Sequence, residues 1–201
     1  MHPNPAFRGA ETARALAFAR ARGFGTLAVN GAAGPEMAHV PFLLDAAGDG
    51  ADLHLVRSNP IARIGAAPGV IAVAGPDGYV SPDWYGVPDQ VPTWNYVAVH
   101  LRGRLEPLPP ETMRDMLDRQ SAAYEVRLAP KPPWTTAKMT PEVLERMMRQ
   151  ILPFRFRIED VQSTFKASQN KPNAVRLAAA ERVAEGLGSE LAAMARLMRE
   201  G

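Results

Sequence analysis

Apolar and polar residues alternate most strictly over Tyr96–Leu105. Val97, Val99 and Leu101 fall on one side of a strand there, and Tyr96, Ala98, His100 and Arg102 on the other. The same reading predicts strands over Phe24–Val29, Met37–Leu44, Asp52–Val56, Gly69–Gly75 and Phe154–Ile158. Pro41 interrupts the second, so a bend is expected there, and Asp49-Gly50 signals a type I′ hairpin. Helical spacing runs over Glu11–Arg22, with Ala13, Leu16, Ala17 and Ala19 inward, and from Pro110 to about Tyr124. After Pro141, residues Val143, Leu144, Met147, Met148, Ile151 and Leu152 form one long apolar stripe. A short helix opens at Arg57-Ser58-Asn59-Pro60, with Ser58 or Asn59 placed to cap it. The stretch STFKASQNKPNAVR reads as a polar loop, and the helical C-terminus is divided at Gly186 and Gly188. Antiparallel strands first and helices appended predict a mainly β fold built on a small barrel, not a doubly wound α/β sheet.

Three stretches carry candidate chemistry, and each has a plainer reading beside it. Between the fourth and fifth strands, Pro82, Pro88 and Pro92 make an ordered loop starting at Gly75. Its Trp84, Tyr85 and Trp94 stand among Ser81, Thr93 and Asn95, which suits a planar heteroaromatic ligand. Aromatic residues so placed also cap barrel cores, and spacing alone slightly favours that. Arg57, Ser58 and Arg63 surround a helix start where an anion such as phosphate is stabilised; the motif taken alone favours a simple cap with solvated arginines. Lys166, Ser168, Gln169, Asn170 and Lys171 offer many donors, as solvent-facing loops do and as the carbonyl and ring-nitrogen acceptors of a flavin require. His39, His54 and His100 lack metal-ligand spacing and read as satisfied histidines, although convergence from three strands would suit a haem.

Composition removes several alternatives. The 201 residues carry a formal charge of only +2 and no continuous Lys/Arg run, so no electrostatic footprint for nucleic acid or anionic lipid is legible. Arg176, Arg182, Arg196 and Arg199 interleave with Glu181, Glu185, Glu190 and Glu200, which gives a helix-turn-helix reading little support. Without cysteine there is no disulfide, thiolate metal site or cysteine nucleophile. No secretory h-region and no apolar run of spanning length is present, so a cytoplasmic protein without a membrane partner is expected. The glycine signatures of dinucleotide, P-loop and hydrolase-elbow sites are absent.

Taken together, His39-Val-Pro-Phe42, His54-Leu-Val-Arg-Ser-Asn-Pro60, Gly78-Tyr-Val-Ser-Pro-Asp-Trp-Tyr85, Val91-Pro-Thr-Trp-Asn-Tyr96 with His100, and Lys166-Ala-Ser-Gln-Asn-Lys171 resemble the PaiB family of FMN-binding negative transcriptional regulators. The resemblance runs from about residue 20 to residue 172, and VPTWNY and YVSPDWY are its specific motifs. It implies an FMN-binding split β-barrel related to pyridoxamine-phosphate oxidase, over residues 1–172, with residues 173–201 as a C-terminal helical extension. It also implies a homodimer with FMN at the interface, one subunit cradling the phosphate and the other bordering the ring. Arg57, Ser58 and Arg63 become phosphate candidates, Ser81, Trp94 and Asn95 ring or ribityl candidates, and Lys166, Gln169 and Asn170 residues that close the pocket. A flavin- or redox-sensing regulator, acting on DNA directly or through a protein partner, is the implied function. A flavin-dependent oxidoreductase of the NAD(P)H:flavin reductase kind, with a small substrate, is the alternative.

Overall fold

The computed structural model describes residues 1–8 and 10–200. Its strands are β1 (Phe24–Gly31), β2 (Gly34–Leu44), β3 (Gly50–Val56), β4 (Ala67–Val80), β5 (Thr93–Pro107), β6 (Ile151–Lys166) and β7 (Gly188–Ser189). The helices are α1 (Thr12–Arg22), α2 (Pro60–Ile64), α3 (Met113–Glu125), α4 (Pro141–Met148), α5 (Asn173–Val183) and α6 (Leu191–Glu200). The strands form one seven-stranded sheet in the order β1-β2-β3-β6-β5-β4-β7. β1 also pairs with β4, so six of them close on themselves as a split β-barrel. The expected fold class is therefore the observed one.

The chain divides into two compact units, one made of residues up to Ala15, Val73–His100 and Gln162 onward, the other of Leu16–Ala72 and Leu101–Val161. In the second, β1 is paired antiparallel on both edges, to β2 from Phe24↔Pro41 to Gly31↔Gly34, and to β4 from Thr26↔Ala72 to Val29↔Gly69. Alternate residues point inward, and Leu27, Phe42, Leu53, Ile71, Phe154 and Phe156 are almost completely buried. Each such side chain contributes about 1.5–3 kcal/mol of transfer free energy. The irregularity expected at Pro41 is a change of partner. β2 pairs with β1 through Pro41 and with β3 from Phe42 onward, so the residue lacking an N–H sits where the ladder is handed over.

α3 docks in the same unit through Asp52, a buried carboxylate that accepts from Arg155 Nη1 at 3.0 Å and Arg119 Nη1 at 2.8 Å. The Gln120 amide donates to the Asp52 carbonyl at 2.9 Å, so side chain and backbone of one β3 residue anchor the helix.

Four local expectations need correction. The β2–β3 connection is not a two-residue Asp49-Gly50 turn; it spans 45–49, with Gly48 in the left-handed region (φ +79°). Gly50 lies in β3, where a Cβ would come within 2.1 Å of the Arg155 guanidinium, so what marks this glycine is close approach of a side chain and not a turn. The apolar stripe from Val143 is split: α4 stops at Met148, and Ile151 and Leu152 start β6 because they pair with Val56 and Leu55 of β3. β6 then continues to Lys166, absorbing Ser163, Thr164 and Phe165 from the expected polar loop, all three buried. In α1 the buried residues are Ala15 and Ala19, while Ala13 and Ala17 face solvent.

The β1–β4 seam is tight. A Cβ on Gly25 would lie 2.8 Å from the Ala72 carbonyl, and one on Gly69 2.9 Å from that of Ala28. Both obstacles are backbone atoms of the paired strand. Gly25→Ala and Gly69→Ala are each expected to destabilise the protein by about 1–3 kcal/mol, read from urea unfolding midpoints. Unchanged midpoints would show that the seam yields freely.

Candidate functional site

The phosphate candidates leave β3 and enter α2. Asn59 is the residue that caps this helix, its Oδ1 accepting from Ile61 N at 2.9 Å, with Pro60 at the first helical position. The cap is thus filled, and the exposed Ser58 hydroxyl has no partner among the described residues. Arg63, in the last turn of α2, is exposed and equally unpartnered. Arg57 differs. Its Nε donates to the Arg149 carbonyl at 3.1 Å, and it lines a cavity of about 360 Å³ beside Arg114, Arg149, Glu111 and Glu145. The three candidates therefore share one segment, but only Ser58 and Arg63 have all their donors unspent.

The ring candidates belong to the other unit. β4 extends to Val80, so the irregular segment is 81–92 and not the whole stretch from Gly75. Ser81 is half-buried just before the 3-10 turn Pro82–Tyr85. Tyr85 is buried and Trp84 packs beside it, in a cluster made mostly by the C-terminal helices and not at the barrel core that the capping reading expected, and Trp94 is 44% exposed, its ring edge-on to Tyr79 at 6.1 Å. Asn95 is fully buried, and its Nδ2 donates to Ser168 Oγ at 2.9 Å. Ser168 Oγ lies 3.0 Å from the Tyr85 hydroxyl, either of which can donate. Ser168 is itself a left-handed non-glycine residue (φ +61°), held by bonds from two directions.

Lys166, the last residue of β6, donates from Nζ to Thr93 Oγ1 at 2.5 Å and stands 5.7 Å from the Phe7 ring centroid. Burial lowers the pKa of its ammonium below the ordinary lysine value. Gln169 is committed to main chain: Oε1 accepts from Ala167 N at 2.8 Å, and Nε2 donates to the carbonyls of Phe165 and, at 3.0 Å, Ala6. Asn170 is exposed. Lys171 binds Gln90 Oε1 and lies 4.9 Å over the Tyr85 ring. Ser81, Trp94, Lys166 and Asn170 thus offer accessible groups, whereas Asn95 and Gln169 are spent on the turn they sit in. Tyr85, Thr93 and Ser168 stand in the candidate stretches, but reading the sequence gave them no individual role beside the residues they bind. Their only signal was a hydroxyl within a motif, since the bonds join positions more than seventy residues apart.

Known proteins share this architecture. Residues 1–160 match the family model described as "Putative FMN-binding domain". The protease synthase and sporulation protein PAI 2 of Bacillus subtilis (strain 168) is 30% identical over 158 residues, which are 77% of this chain and 75% of that protein. Among solved structures, the conserved hypothetical protein Rv2991 of Mycobacterium tuberculosis has a TM-score of 0.57 at 16% identity, covering 83% of this chain and 92% of that one. The FAD and heme binding protein of Mycobacterium smegmatis has a TM-score of 0.56 at 17% identity, covering 79% and 73%. Identities this low attest the fold alone.

His39 Nδ1 is 3.0 Å from Thr26 Oγ1, and its ring stacks on Phe24. His100 is half-buried on β5. His54, on β3, has a buried Nδ1 without a hydrogen-bond partner. Burial depresses its pKa, with the Gln120 side chain pulling weakly the other way. The unfolded chain therefore binds more protons than the folded one below the ordinary imidazole value of about 6.5, and stability falls as pH drops through that window. Thermal midpoints measured from about pH 8 to about pH 5 are expected to decline less steeply in His54→Phe than in the parent. Parallel curves would assign the acid sensitivity to other groups.

Proposed function

The chain belongs to the PaiB-type family of FMN-binding proteins, and from that premise we propose that it is a homodimeric flavin-sensing regulator with FMN held at the subunit interface. In this reading Arg63 and Ser58 bind the phosphate, with Arg57 beside them. Ser81, Trp94, Lys166 and Asn170 border the ring and ribityl chain, while Asn95 and Gln169 hold the turn that presents them. The observation that carries it is the unspent donor set at the start of α2: a guanidinium and a hydroxyl, exposed and without internal partners, within one short segment.

The residues present fit FMN chemically. A phosphate dianion calls for guanidinium and hydroxyl donors, which Arg63 and Ser58 supply. The carbonyl and nitrogen acceptors of a flavin ring call for donors beside a flat apolar face, and Lys166 and the exposed Trp94 ring are of that kind. When bound, FMN supplies one- or two-electron redox chemistry. Lys166 acts here as a positioned donor, because Thr93 fixes its ammonium.

Regulation through a protein partner agrees better with this surface than strong sequence-specific DNA binding, because the chain carries a net charge of only +2. No helix among the described residues is long and apolar enough to cross a membrane.

The test is a visible spectrum of purified protein after FMN is added and the excess removed, followed by titration of variants. Retained flavin bands in stoichiometric amount are expected. Arg63→Ala is expected to weaken FMN about ten- to a hundredfold, as loss of a charged hydrogen bond does. Affinity unchanged in Arg63→Ala would remove this residue from the cradle, and steady NAD(P)H consumption by the FMN-loaded protein would replace the regulator with the oxidoreductase.

A further inference from the structure

The family match ends at residue 160, which leaves α5, β7 and α6 without a role. Their packing supplies one. Ala179, Ala180 and Val183 of α5 and Met194, Ala195 and Met198 of α6 form one buried cluster with Val80, Tyr85 and Ala167, and Trp84 packs against it. β7 adds to β4 through Asp77↔Ser189 and Gly78↔Gly188, and Tyr79 N donates to the Leu187 carbonyl at 2.8 Å. The two helices are joined by Arg176, whose residue exposure is only 6%. Its Nη1 donates to the Met198 carbonyl near the end of α6, where the helix dipole favours a cation, and its Nη2 to Asn173 Oδ1 at 3.1 Å.

Tyr85 belongs to two systems at once. Its ring is in the helix cluster and its hydroxyl meets Ser168, which Asn95 also binds. Ser168 keeps its left-handed conformation at the centre of that triad, two residues after Lys166. Lys171, three residues further on, lies 4.9 Å over the same ring and reaches Gln90. A movement of α5 or α6 therefore reaches segments 81–92 and 167–171, directly at Trp84 and Ala167 and, through the Tyr85 hydroxyl, at the Ser168–Asn95 bonds.

We propose that Tyr85 is a positioning residue for the cofactor site and that the C-terminal helix pair, locked by Arg176, sets the conformation of the flavin-bordering segments. This rests on the reading above, in which Ser81, Trp94 and Lys166 border the flavin. The extension is then part of the cofactor site's support, and a partner or modification that loosened α6 would lower flavin affinity from outside the pocket.

The experiment uses the full chain and two variants, Tyr85→Phe, which removes only the hydroxyl, and Arg176→Met, which removes the lock between the helices. Amide hydrogen exchange without FMN is measured first. Residues 81–92 and 167–171 are expected to exchange about tenfold faster in both variants, with β1 and β3 unchanged. Unchanged exchange in those segments, or a uniform rise throughout the chain, overturns the coupling. If Arg176→Met fails to fold, Tyr85→Phe alone decides.

FMN titration follows. Several-fold weaker binding in both variants, and no further loss when Tyr85→Phe is combined with Ser168→Ala, is expected of one shared linkage. FMN binding as tight as in the parent, despite faster exchange, overturns the positioning role. A parent chain that binds no FMN refutes the site proposed above, while the exchange data still decide whether α5 and α6 govern the two segments.

Discussion

The barrel depends on a short seam. β1 pairs with β2 along one edge, and on the other its pairing with β4, which closes the sheet, runs only from Thr26↔Ala72 to Val29↔Gly69. Backbones approach so closely there that Gly25 and Gly69 have no room for a Cβ. Closure removes the exposed edges that an open sheet of these strands would present. It also turns alternate residues of β1–β3 and of the first part of β6 inward, where their phenylalanines and leucines pack. Asp52 then attaches α3 to that closed surface by placing one carboxylate between two arginines.

Charge is used in two distinct ways. Asp52, Arg155 and Arg119 satisfy one another, and the buried Arg176 is satisfied by a helix-end carbonyl; these groups hold elements in place. Arg63 and Ser58 have nothing to hold, because Asn59 already caps α2. A binding site for an anion needs donors of the second kind. The same division separates the amides in the other unit, where Asn95 and Gln169 serve the turn around Ser168.

The strand pattern is legible where a strand has one dry and one wetter face, so that period-two alternation survives in the chain, most clearly over Val97, Val99, Leu101 and Leu105. Boundaries failed where a partner overrode local preference. Ile151 and Leu152 continue a helical stripe in sequence, yet pairing with Leu55 and Val56 makes them strand. Gly50 looked like a turn glycine, yet it is a strand residue covered by the Arg155 guanidinium. In each case the deciding neighbour is about a hundred residues away.

For the site, the sequence by itself determined the residue types and their segments: Arg57-Ser58-Asn59-Pro60, the proline-pinned aromatic loop, and Lys166–Lys171. Local chemistry was enough, because caps, turns and motif donors act within a few residues. Only the tertiary structure decided which of those donors are spent. It tied Arg57 to Arg149, buried Asn95 against Ser168, and joined Tyr85 to Ser168 and the C-terminal helices. A hydrogen bond is satisfied by whichever group the fold brings within reach, and for these side chains that group lies far along the chain.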